Sequence, residues 1–201
     1  MLTYFSFPEY FVRLCDEDGL IENLTSIAFL MAGLVFLFRA RKSHFRVDIT
    51  AGLGVLCIVA AGDEISWGQR LLGIQTPETV RAVNVQHELN FHNMEWIHGH
   101  YRLVVLVILI AFCLLLPPLT RHFEVVRRHA EKWRLPLFPV EGVLAMLLAI
   151  AYMAIPRLLQ VENFRDLDEV GEFLVALGFL CYAVWPRLPR IASHQIQTQE
   201  P

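Results

Sequence analysis

The chain reads as an all-α integral membrane bundle of about five transmembrane helices, with an outward helical cap between helices 2 and 3. Three observations predict this. Hydrophobic residues make up 55% of the 201 and charged residues only 18%, with a mean hydropathy of +0.45, whereas soluble domains carry about a quarter charged residues. Five apolar runs are each close to the roughly 20 residues that cross a hydrocarbon core about 30 Å thick. Short charged links separate them, and none could build a core of its own.

The five runs cover residues 20–38, 49–67, 101–119, 138–156 and 170–186. Residues 1–190 are therefore predicted to be a single transmembrane domain, with 191–201 a flexible cytoplasmic tail. The opening stretch "MLTYFSFPEYF" lacks the basic flank and small-residue cleavage site of a signal peptide. Its rings Tyr4, Phe5, Phe7, Tyr10 and Phe11 suit the headgroup layer, so an interfacial segment is expected there.

Basic residues set the expected orientation. The links "RARKSHFR" and "RHFEVVRRHAEKWR" and the late pair Arg187 and Arg190 belong on the cytoplasmic side. The amino terminus is then outside and the carboxyl terminus inside. Acids and histidines collect on the outer side, including Asp16, Glu17, Asp18, Glu22, Asp63, Glu64, Glu88, Glu162, Asp166, Asp168, Glu169, Glu172 and His92. A chemical site, if present, faces outward.

The first run carries Glu22, Ser26 and Gly33 on one helical face, a small polar stripe that permits close packing against a neighbour. Glu22 and Glu172 open the first and fifth runs, and aligning them also matches Leu24 with Leu174, Phe29 with Phe179 and Leu30 with Leu180. The second run ends in "GDEISWGQRLLG", residues 62–73. A carboxylate there is costly unless it faces the bundle interior and has a partner, so Glu64 is expected to meet Glu22 and Glu172.

The segment "NVQHELNFHNMEWIHGH" brings further ligand-competent side chains. As a helix it would place Glu88, His92 and Glu95 on one face, where two carboxylates and an imidazole could serve a metal. It is not the HExxH zinc signature, because a five-residue spacing sets the two histidines of "HELNFH" roughly 140° apart around a helix. "GIQTPETV" reads as a loop with Thr76 as N-cap and Pro77 at the first helical position. Residues 68–100 are accordingly expected to form a compact helical cap. The four cysteines stand singly and imply core packing, not redox or zinc chemistry.

The stretch "DEISWGQRLLGIQTPETVRAVNVQHELNFHN" resembles the signature of a group of bacterial multi-pass membrane proteins in which an acidic pair precedes I-S-W-G-Q-R and a later N-x-Q-x-E-x-N-x-H-N closes the segment. Glu64, Ser66, Trp67, Gly68, Gln69, Arg70, Asn84, Gln86, Glu88, Asn90, His92 and Asn93 carry the match. Asp63 stands where glutamate is the more familiar residue. The resemblance implies a bacterial inner-membrane location and marks these positions; it implies no reaction.

Three function classes follow. In an enzyme, Glu22, Glu64, Glu88, His92 and Glu172 would hold a divalent metal, with Glu64, Glu88 and His92 catalytic. Trp67, Gln69, Arg70, Asn90 and Asn93 would then bind a lipid-borne phosphorylated or acylated substrate. In a structural or assembly subunit the same polar cluster would lock the bundle. In a proton- or cation-coupled transporter the three glutamates would bind the ion, although the inner halves of the runs lack acids. The lipid bilayer is the expected partner and no nucleic acid is expected.

Overall fold

Glycines decide how closely the apolar helices of this protein approach one another. The computed structural model describes residues 8–15, 19–41, 49–98, 100–159 and 165–185. Residues 1–7, with Tyr4, Phe5 and Phe7, lie outside them, as do Asp16, Glu17, Asp18, residues 42–46 of the first link, Glu162, Arg187, Arg190 and 191–201. The architecture is all-helical, with no strand among the described residues.

The helices are α1 Pro8–Cys15, α2 Leu20–Ala40, α3 Ile49–Glu64, the one-turn α4 Gln69–Leu72, α5 Glu78–Arg81 and α6 Glu95–His98, then α7 Tyr101–Leu109, α8 Leu116–His122, α9 Glu124–Lys132, α10 Val140–Leu158 and α11 Arg165–Val184. α2 packs against α3 and α11, and α10 packs against α11 and touches α7. All five expected runs are helical, but fewer than five meet the requirement for crossing a membrane. The helical run containing Leu20–Ala40 meets it, as does Leu103–His122, and a third does if the bent pair Ile49–Glu64 and Ser66–Leu72 is one span. Two physical reasons explain the shortfall. The apolar stretch Val140–Pro156 is too short, and α11 opens with Asp166, Asp168, Glu169 and Glu172 in its first two turns.

Small residues bring α2 onto α3. A Cβ on Gly33 would stand 2.9 Å from the Gly54 carbonyl oxygen and 2.7 Å from Ile58 Cγ1, so the two backbones nearly touch. One turn or more toward the start of α2, Ser26 Oγ donates to the Ala61 carbonyl at 2.8 Å. The small polar stripe of α2 thus faces α3. On its other side α2 meets α11, where Phe29 and Phe179 pack with centroids 6.2 Å apart and Phe36 meets Tyr182 edge-on at 5.3 Å. Phe29 and Phe179, which align between the first and fifth runs, are therefore neighbours across a parallel pair of helices. At the far end of that pair Arg39 Nη1 donates to the carbonyls of Ala183 and Val184 at 2.9 and 2.7 Å, which satisfies carbonyls that the α11 terminus leaves open.

Between α7 and α8 the backbone forms a π-helical turn, Ile110–Leu115. There the Leu116 N–H bonds the Ala111 carbonyl five residues back, and Pro117 and Pro118, which have no N–H, leave the carbonyls of Cys113 and Leu114 without donors four residues on. Cys15, Cys57 and Cys113 are buried and Cys181 is half-buried, all as free thiols.

Candidate functional site

α3 does not continue through "SWG" as a straight helix. Ser66, Trp67 and Gly68 all take left-handed backbone, with φ of 46°, 55° and 71°. Only glycine does this without strain, so Ser66 and Trp67 carry a cost of order 1 kcal/mol or more each. The result is a 67° bend that swings Ser66–Leu72 across the end of α3. Trp67 lands over Gly62, where a Cβ would meet its ring at 2.8 Å, and stands edge-on to Phe91 at 6.3 Å.

The segment below this bend differs from expectation. Residues 82–94 are turns and bends closed by an isolated antiparallel bridge between Asn84 and Met94, not a helix, so Glu88, His92 and Glu95 do not share a helical face. Helix formation loses here because asparagine side chains compete for the backbone donors. Asn84 Oδ1 accepts from the N–H of Gln86 at 3.0 Å and of Glu88 at 3.2 Å, and Asn84 Nδ2 donates to the Asn90 carbonyl at 3.0 Å. Thr76 is not the N-cap of α5; Pro77 holds that position, and Thr76 Oγ1 donates instead to Gln69 Oε1 at 3.3 Å. The cap is a knot of turns with three single-turn helices.

Glu88 is the hub of this knot. It is buried, Ser66 Oγ donates to its Oε2 at 2.7 Å, Asn90 Nδ2 donates to the same oxygen at 3.2 Å, and the Arg70 guanidinium pairs with Oε1. Gln69 Oε1 accepts from the Leu89 N–H at 2.6 Å. A second centre forms on Asp63, which accepts from the N–H groups of Phe91 at 2.5 Å and His92 at 3.1 Å and from His92 Nδ1 at 2.8 Å. Since a carboxylate only accepts, the proton sits on Nδ1, and Nε2 of His92 then accepts from Asn93 Nδ2 at 3.0 Å. Asn93 Nδ2 also donates to Gln86 Oε1.

Glu64 belongs to a different group. It is half-buried, and Glu172, Glu169, Glu22 and Asp63 all lie close enough to act on it electrostatically. The glutamates of α2, α3 and α11 are thus brought together, as their depths implied, with Glu169 added. Glu169 precedes Glu172 by three residues and so shares its face of α11, a spacing that could have flagged it. Asp63 and Ser66, which belong to none of the expected catalytic, binding or metal roles, prove central to the cap; their place beside Glu64 and Trp67 was the available signal.

The five expected metal donors do not gather around one point. Glu88 and His92 are engaged in the cap, and Glu22, Glu64 and Glu172 lie in the interhelical group. Both nitrogens of His92 and both oxygens of Glu88 already have partners. Among the described residues, no three His, Cys, Asp or Glu side chains are placed as a ligand set. As positioned, these residues do not fit a metal, and no chemical step is derived through one. A comparison with known protein families, curated proteins and solved structures finds no match to the chain.

Proposed function

We propose that the protein is a membrane-embedded enzyme of the bacterial inner membrane, with an outward site that acts on a lipid-borne acyl or phosphoryl substrate and uses Glu64 as its general base. The supporting observation is a division of labour among adjacent carboxylates. Asp63 and Glu88 hold the cap through seven hydrogen bonds and ion-pair contacts between them, six to carboxylate oxygens and one from the Glu88 N–H. Glu64 instead stands among Glu22, Glu169 and Glu172. Repulsion within such a group is relieved when one member takes up a proton, and taking the proton of an attacking water or hydroxyl is the task of a general base. The remaining topology belongs to this proposal too: five spans, amino terminus outside and carboxyl terminus inside.

Incubation of the purified protein with a bacterial polar-lipid extract, followed by mass spectrometry of the lipids, tests the reading. The wild type should generate a product that Glu64→Gln, at unchanged melting temperature, does not. A well-folded Glu64→Gln protein with full turnover would remove Glu64 from the chemistry. A second reading, an assembly subunit, draws on the internal closure of the cap network around Glu88; stable co-purification of one partner, lost in Glu88→Gln and kept in Glu64→Gln, would favour it.

A further inference from the structure

The segment after α8 has no counterpart in the site. An extended Phe123, with φ −116° and ψ 114°, ends the apolar run Leu103–His122, and α9 begins one residue later. Projected at 100° per residue, α9 has an apolar arc of Val125, Val126, Ala130 and the adjoining Trp133, interrupted by His129, opposite Glu124, Arg127, Arg128, Glu131 and Lys132. Ala130 is buried, but Val125 and Trp133 are 68% and 65% exposed. Among the described residues, no element apart from α8 packs substantially on α9. Apolar side chains and basic side chains are therefore offered together at the end of a candidate span.

We propose that α9 is an interfacial helix that binds the headgroups of anionic phospholipids in the leaflet where Leu103–His122 ends. Two observations select this occupant over a protein partner. The first is charge: five Arg or Lys stand against two Glu between Arg121 and Arg134, a density that attracts acidic headgroups within a Debye length of the bilayer surface. The second is continuity. α9 follows the apolar run without a linker, so its exposed Val125 and Trp133 meet the bilayer at the depth tryptophan prefers. Lys132 Nζ stands 5.8 Å from the Trp133 ring, a basic head beside an interfacial anchor. Arg128 with Glu124 and Arg127 with Glu131 form i,i+4 ion pairs on the polar arc, and the exposed Arg128–Glu124 pair leaves the Arg128 guanidinium within reach of a headgroup phosphate.

The inference needs the chain to sit in a bilayer and is independent of the role of Glu64. Full-length protein in nanodiscs containing equal phosphatidylglycerol and phosphatidylcholine is extracted into detergent, and the retained lipids are counted by native mass spectrometry. The wild type should retain phosphatidylglycerol preferentially, with the preference falling about five-fold for each basic residue removed in the series Arg127→Gln, Arg128→Gln and Lys132→Gln. Glu124→Gln with Glu131→Gln should raise it, which keeps the test decisive if the first series misfolds. No headgroup preference in the wild type, or a preference that both series leave unchanged, would overturn the proposal. So would a dimer or bound protein that shields α9 irrespective of headgroup.

Discussion

The cap and the bundle beneath it are held by opposite means. Around Glu88 and Asp63, polar side chains satisfy one another and the turns of residues 82–94 exist because asparagine, glutamate and aspartate oxygens replace the ladder of a helix. Between α2 and α3, Ser26 supplies a hydrogen bond to the Ala61 carbonyl, and Gly33 and Gly54 let the two backbones come close. The difference teaches where each region is fragile. A polar knot fails when one hub is removed, because its partners are left desolvated and unpaired; a glycine seam fails when anything is added.

The largest expected effect breaks the first half of this contrast. Glu88→Ala leaves Arg70, Ser66 and Asn90 without their common acceptor, and removing one member of a buried pair costs about 3 kcal/mol or more. Limited proteolysis should then cut within residues 68–94 while the helices resist, and an unchanged digestion pattern would show that Glu88 is not the hub. A smaller effect sharpens the second half. Gly33→Ala should destabilise the purified protein by about 1–3 kcal/mol, because the obstacle is the Gly54 carbonyl and backbone cannot step aside. Gly178→Ala should cost less, although its Cβ would fall 2.3 Å from Met146 Cε, because a methionine end can swing away. Equal melting shifts for the two would contradict this reading. The smallest effect tests the Ser26 hydrogen bond of the seam. Ser26→Ala removes a bond to the Ala61 carbonyl and should lower stability by about 0.6 kcal/mol, read from unfolding in detergent.

The same contrast governs what could be read from sequence. Apolar runs announce helices by composition alone, so all five runs are helical, with ends near those expected. The stripe of Glu22, Ser26 and Gly33 announced a packed face by its spacing. The bend at Ser66 did not, since serine and tryptophan carry no preference for positive φ and adopt it only because the cap holds them there. Likewise "NVQHELNFHNM" has helical spacing of acids and histidine, and only the tertiary partners of Asn84 and Asp63 reveal that it is turns. The site was half legible: depth placed Glu22, Glu64 and Glu172 together, whereas the commitment of Glu88 to Arg70 and of His92 to Asp63 depends on contacts between segments 18 and 29 residues apart.

The bond from Arg39 to the last carbonyls of α11 spans 144 and 145 residues of chain. During synthesis, α2 emerges well before α11, its second neighbour. α3 can cover one flank of α2 within seconds at ordinary elongation rates of roughly 5–20 residues per second. Phe29, Phe36 and Arg39 on the other flank must wait for α11. The loop-closure entropy of so long an interval makes this the last step of assembly. A ribosome stalled before residue 165 would therefore hold a chain whose α2 still lacks its companion α11.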